Sequence, residues 1–418
     1  MKEKELTYNF QEWTVPALFL ILPFVILVPG MIWTSHHLFF ILMVLPIIAL
    51  SIKNLWVRSF LLYAFLYQIT LLVFAIKYPL INAGSGLSVI SSLIAAALVY
   101  KLVSESRIQS EKWFSIIRIA VILQVVISIS QYLGFNPITF VMSNLISTKE
   151  GMPGDFVGTI GNRNYLMAFA AMSIPLFIGW KSIHWKIEKP LGVDGCYPWN
   201  IRINISLIVI FIVLCLAPSP ATLAAVIGLA VYFNRGWKWI VISACIALAY
   251  VYGYVIFKGA HLTDFERLPD QLNQIWNTGK VLIPFNGALY PAEYIPNWYD
   301  IGRFSMWLTA LSKLITSWSA MVFGFGPGAF WGKAYNLHSE YMAAWFYFGL
   351  IGLSVMIGYI YTTIRFLIKK KDMILLSAFV ILCLDMGANH TLHIATTAFL
   401  AVIICGLIER ERLIYGKL

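Results

Sequence analysis

An all-α integral membrane protein of about twelve transmembrane helices, with one large outside loop carrying amphipathic helices, is the fold class the sequence predicts. Three observations carry it. Hydrophobic residues make up 60% of the 418-residue chain and charged residues only 12%, far from the balance of a soluble domain. Apolar runs of about 17 to 25 residues, each long enough to cross a hydrocarbon core, recur from end to end. Basic residues gather on alternate connections between those runs.

The first run, 14–34, follows "MKEKEL" and is too long, and too poorly flanked by small residues, for a cleaved signal peptide. It reads as an anchor with a cytosolic N-terminus. A tight turn at His36 and His37 leads to 37–52, then to 55–76, 83–103 and 113–134. After an outside segment, 135–163, come 164–181, 203–217, 219–234 and 238–257. A long outside loop, 258–340, precedes the last three runs, 341–366, 373–388 and 391–408, and a cytosolic C-terminus. Residues 1–418 read as one polytopic membrane domain, without an appended soluble domain or a convincing internal repeat.

A formal charge of +11 raises nucleic acid as a partner, and the distribution of that charge removes it. With the N-terminus inside, only Lys77, Lys149, Arg163, Lys258, Arg267, Lys280, Arg303, Lys313 and Lys333 fall on the opposite face, spread over much longer connections. The rest of the 30 basic residues crowd the short inside loops, so the basicity expresses membrane orientation and the partner is the lipid bilayer. Cys196, Cys215, Cys245, Cys383 and Cys405 lie in apolar spans or a cytosolic connection and read as small buried hydrophobes.

Long loops in a helical membrane protein carry binding or chemistry more often than short ones, which directs attention to 258–340. It opens on "KGAHLTDFERLPDQLNQIWNTGK", apolar at a helical period. "VLIPFNGALYPAEYIPNWYDIG" follows, too rich in Pro, Gly and aromatics for one regular helix. "RFSMWLTALSKLITSW" resumes an amphipathic pattern, with Phe304, Trp307, Leu308, Leu311 and Ile315 near one face, and reads as a helix on the outer membrane surface or leaning into the bundle. Gly324, Gly326 and Gly328 lack the Lys-Ser/Thr of a phosphate-binding loop and read as a tight turn that returns Arg303 and His338 toward one another.

Among the seven histidines, His338 stands apart. A helix is expected just beyond it, Glu340 and Tyr341 lie in that helix's first turn, and Arg303 is upstream in the same loop, so ionisable groups cluster there. His390 and His393 are one helical turn apart, but two ligands make no metal site, and neither a metal nor another cofactor is expected. A second polar stretch, "GTIGNRNYL", puts Asn162, Arg163 and Asn164 at the start of a span. Asn164 suits an N-cap there, and the helix N-terminus beside Arg163 suits phosphate oxygens. Asp385, inside an apolar run, would cost about 2.5–3.5 kcal/mol unpaired at mid-bilayer and so needs a partner or a wet cavity.

In pattern and order, these stretches resemble the O-antigen ligase and O-antigen polymerase family of bacterial envelope glycosyltransferases. The matching residues are Gly158, Thr159, Gly161, Asn162 and Asn164 before a span; Arg303 shortly before Trp307; Gly324 and Gly326; and His338-Ser339 followed by the run Gly349 to Leu353. The resemblance covers about 158–355 and implies a GT-C-like fold in the bacterial inner membrane, an active site on the periplasmic face, and a glycan donor carried on polyprenyl pyrophosphate. The acceptor it implies is lipid A core or a second lipid-linked glycan.

By that resemblance His338 is the general base on the acceptor hydroxyl, and Arg303 holds the departing pyrophosphate through paired, charge-assisted hydrogen bonds, with no metal required. Asn162, Arg163, Asn164, Glu340, Tyr341 and Trp307 are the expected substrate-binding residues. Where the family carries a Ser-Arg pair this chain has Ser219-Pro220, and Arg163, on the same side, is the candidate replacement. Ligase and polymerase differ only in acceptor and are not separated. A transporter or flippase for a lipid-linked or small solute is the rival from another class, and it predicts broken helices and charges at mid-membrane.

Overall fold

The computed structural model describes residues 44–75, 83–135, 163–177, 219–233, 282–285, 288–291, 317–326, 339–389 and 395–415, with isolated positions elsewhere. Residues 44–51 are helical, and nine helices are named here: α1 (Leu55–Ala75), α2 (Ala83–Glu105), α3 (Ser110–Tyr132), α4 (Arg163–Phe177), α5 (Pro220–Tyr232), α6 (Trp318–Phe323), α7 (Glu340–Lys370), α8 (Met373–Met386) and α9 (Ala395–Tyr415). Most coincide within a few residues with expected apolar runs. The runs expected at 14–34, 203–217 and 238–257 lie largely outside the described residues.

The described residues are helical almost throughout, with one departure from the all-α expectation. Leu282–Phe285 (β1) and Ala288–Pro291 (β2) pair antiparallel, Phe285 opposite Ala288 and Leu282 opposite Pro291. The residues joining them are Asn286 and Gly287, the dipeptide most suited to a two-residue hairpin loop, and Pro284 is tolerated because each strand of a two-stranded ribbon is an edge.

Among the described residues, α3 and α7 are long and apolar enough to cross a hydrocarbon core, and several shorter apolar helices accompany them. Ile119, Leu123 and Val126 repeat at helical spacing along α3 and are exposed, so an apolar stripe faces outward from the protein. Exposed apolar surface of that kind requires lipid or a partner.

Two compact units divide the chain. The first comprises Met1–Val28, Arg107–Ala247 and Lys371–Leu382. There α4 packs on α3 and on α5. From Leu166 to Phe177 α4 is apolar on all sides but for Ser173 and is buried on all of them. Arg118 of α3 donates from Nε to Leu176 O at 2.6 Å, a cation against the negative end of α4. Pro220 opens α5, where its missing N–H removes nothing the helix needs, and the amide of Ser219 donates to Thr222 Oγ1. Ser377 Oγ donates to Gly228 O at 2.5 Å, an approach possible because a Cβ on Gly228 would stand 2.6 Å from Ile381 Cδ1.

The second unit comprises Pro29–Ser106, Leu248–Lys370 and Cys383–Leu418. α2 packs on α9 and α1, α1 on α7, and α7 on α6 and α9. Lipid tails are as apolar as leucine, so close approach rather than water exclusion drives such contacts. Gly406 against Val103 and Gly358 against the Trp56 ring are contacts of this type. At one end Asn54 caps α1, its Oδ1 accepting from the amides of Trp56 and Val57, while its Nδ2 donates to the buried Glu409 Oε2 at 3.0 Å. Arg412 donates to the same Glu409 oxygen at 2.8 Å and to Thr363, and Lys370 pairs with Glu411.

One expected span is not continuous. α7 breaks at Gly349, whose φ of 65° and ψ of −167° are non-helical. The carbonyls freed by the break are taken up by a second glycine-rich segment: Phe325 N donates to Phe346 O and Gly326 N to Tyr347 O, each at 2.8 Å. Gly324 and Gly326 have positive φ, so the "GFG" turn exists to run an extended backbone against the gap in α7.

Candidate functional site

In the second unit, the described residues flanking position 338 are tied down from three directions. Leu337 O accepts from Trp307 Nε1. Ser339, buried, stands at the cap position of α7; its carbonyl accepts from Ala343 N, as the first turn of a helix requires. Glu340 is 4% exposed, and its Oε1 accepts from Leu392 N at 2.6 Å. A carboxylate at a helix N-terminus is favoured by the helix dipole, and the short hydrogen bond joins it to the chain entering α9. Tyr341 donates from its hydroxyl to Cys383 O at 2.8 Å, fixing the same turn to α8.

Trp307, Glu340 and Tyr341, expected to bind substrate, therefore come together around the 337–341 backbone, with polar atoms engaged by protein groups. His338 and Arg303 lie outside the described residues, as do His390 and His393. The helix bearing Trp307 differs from the sequence reading. Residues 307, 310, 311, 313 and 314 are helical, the packed face is marked by the buried Ala310 and Leu314, and Ile315 is 63% exposed. The apolar stripe is rotated by one position because small Ala310 lets the helix approach Phe346 and Tyr347, with which it shares a core cluster.

Asp385, fully buried, has the partner its position demands. Asn389 Nδ2 donates to Asp385 Oδ1 at 2.6 Å, one helical turn on, and the Asn389 amide donates to Asp385 O. Among the described residues, Asn389 Oδ1 is buried without a hydrogen-bond partner. Among the described residues no group of three His, Cys, Asp or Glu is placed to hold a metal ion.

In the first unit, the Gly158 turn is held by a side chain that the sequence motifs do not include. Gln131 of α3 accepts from Gly158 N at 2.8 Å and donates to Gly158 O at 3.1 Å, pairing its amide with the peptide as a strand would. Gly158 has φ 57°, and a Cβ there would stand 2.7 Å from Gln124 Oε1. Gln124, Ser128 and Gln131 are all buried on one face of α3. That spacing of polar residues inside an apolar run is the signal that finds them.

α4 begins at Arg163, so Asn164 is the second residue of its first turn and not the cap expected of it. The side chain of Arg163, and Asn162 altogether, lie outside the described residues. Searches against family models and curated proteins found no match to this chain.

Proposed function

We propose that this protein transfers a glycan from polyprenyl pyrophosphate to an acceptor sugar hydroxyl at the periplasmic face of a bacterial inner membrane, in the manner of an O-antigen ligase or polymerase. His338 takes the proton from the attacking hydroxyl as the bond between the anomeric carbon and the phosphate oxygen breaks, the electron pair leaving on that oxygen. Arg303 compensates the charge that grows on the leaving pyrophosphate, and Arg163 supplies the second cation that Pro220 cannot. Both termini are cytoplasmic, and about twelve spans place the loop outside.

The observation that carries this reading is the bond from Trp307 to Leu337. Trp307 is four residues from Arg303 and Leu337 is next to His338, so sequence segments about 30 residues apart, which the chemistry needs at one place, are joined through their neighbours. Exposed apolar residues along α3 and along α7, Ile357, Tyr361 and Ile368 among them, support the membrane setting, since a soluble core helix would be enclosed.

Purified protein supplied with a polyprenyl-pyrophosphate glycan and a candidate acceptor is expected to release polyprenyl pyrophosphate. Undiminished turnover by His338→Ala would remove the assignment. The break in α7 and the buried Asp385 favour a second reading, transport of a lipid-linked glycan or small solute. Movement of intact donor across a vesicle membrane, without release of its lipid, would select it.

A further inference from the structure

By sequence, Gly324 belongs to the long outside loop, yet in the second unit it lies level with the middle of α1 and about a third of the way along α7. Trp56 sets the register of α1 on α7, its ring lying against Gly358. Gly349 is nine residues from Gly358 and Glu340 a further nine, about 13 Å of rise for each step. Gly349 is therefore midway between the level of Trp56 and the mouth of α7. α1 agrees, because Tyr63 and Tyr67 stand about 10 and 16 Å above Trp56. Tyr67 donates to Gly324 O at 2.6 Å, and Tyr63 is 3.2 Å from both Phe323 O and Phe348 O.

We infer that residues 317–326 form a re-entrant wedge that dips about halfway into the bilayer and splits α7, and that Tyr63 and Tyr67 are positioning residues that set the height of the half-helix 340–348. Non-helical backbone survives at such depth only when protein satisfies it. Here it does: Gly324 N donates to Ala320 O, Phe325 N and Gly326 N donate to the carbonyls freed at the break, and the two tyrosines take the carbonyls of 323 and 324.

Composition agrees independently. "SWSAMVFGFG" contains no charged residue, and Trp318, 78% exposed, and Phe323, 48% exposed, present rings outward where a water-facing loop would present polar groups.

The wedge stands without any chemistry, whereas the positioning role rests on the glycosyl-transfer reading. In full-length protein with the native cysteines replaced, Phe323→Cys carrying a fluorophore is expected to be quenched more by lipids spin-labelled at mid-chain than at the headgroup, with no labelling by impermeant maleimide from outside. Ready labelling, or stronger headgroup quenching, overturns the wedge.

Per folded molecule, Tyr67→Phe is expected to lower donor kcat roughly tenfold with donor KM unchanged, from one carbonyl left unsatisfied. Wild-type kcat in Tyr67→Phe and in the Tyr63→Phe/Tyr67→Phe pair overturns the positioning role. If the wild-type protein turns over no donor, the glycosyl-transfer reading and the positioning role both fall, while the quenching measurement still decides the wedge.

Discussion

Gly324 and Gly349 cross backbone to backbone: a methyl group on Gly324 would stand 2.5 Å from Gly349 N, and one on Gly349 would stand 2.5 Å from Phe323 N, with the Val322 carbonyl closer still. Neither neighbour is a side chain that can swing away. Both residues also hold φ and ψ values that are essentially restricted to glycine.

Gly349→Ala is accordingly expected to lower the thermal midpoint and the folded yield in detergent, the backbone conformation alone costing about 1–3 kcal/mol. Gly358→Ala is the control. Its clash is with the outer edge of the Trp56 ring, a partly exposed side chain and not backbone, so a smaller loss is expected.

Gln131→Ala removes both partners of the Gly158 peptide and is expected to destabilise by about 2–4 kcal/mol, since two buried groups lose their hydrogen bonds. Gln131→Glu keeps the acceptor for Gly158 N but, when ionised, faces Gly158 O without a donor. Thermal unfolding of the two variants should rank both below wild type.

Arg412→Ala leaves the buried Glu409 carboxylate with Asn54 as its described donor. A loss of about 1–3 kcal/mol is expected, less than for a wholly buried pair because Arg412 is partly exposed. Glu409→Gln in the same background should recover part of it, which a double-mutant cycle measures.

With His338 as the base, donor turnover should rise with pH as the imidazolium gives up its proton, because only the neutral imidazole accepts one. At lower pH the imidazolium accumulates and the rate falls. His338→Ala should lose about 10²–10⁴ in rate and flatten this acid limb, and Arg303→Lys should lose less than Arg303→Ala because it keeps the charge while giving up the paired geometry.

Apolar runs made the helices legible, and an aspartate inside one of them, Asp385, announced its need of a partner. The 3.6-residue period and the length of a hydrocarbon core are properties of local sequence. The break in α7 was not legible, because Gly349 and Gly352 look alike in sequence and only the approach of Val322 and Phe323 decides which one leaves the helix. The hairpin at 282–291 carried its signal in Asn286-Gly287 but sat in a stretch read only as non-helical.

The candidate site divides in the same way. Glu340 and Tyr341 were visible as polar groups at a helix mouth, whereas the bonds from Glu340 to Leu392 and from Gln131 to Gly158 join distant segments that no local pattern connects.

The bond between Asn54 and Glu409 spans 355 residues of chain. At about 5–20 residues per second, a ribosome needs roughly 20–70 s to supply the carboxylate after the amide has emerged. For that interval the cap of α1 waits with half of its side chain unanswered, and this end of the bundle closes only once residue 409 has been made.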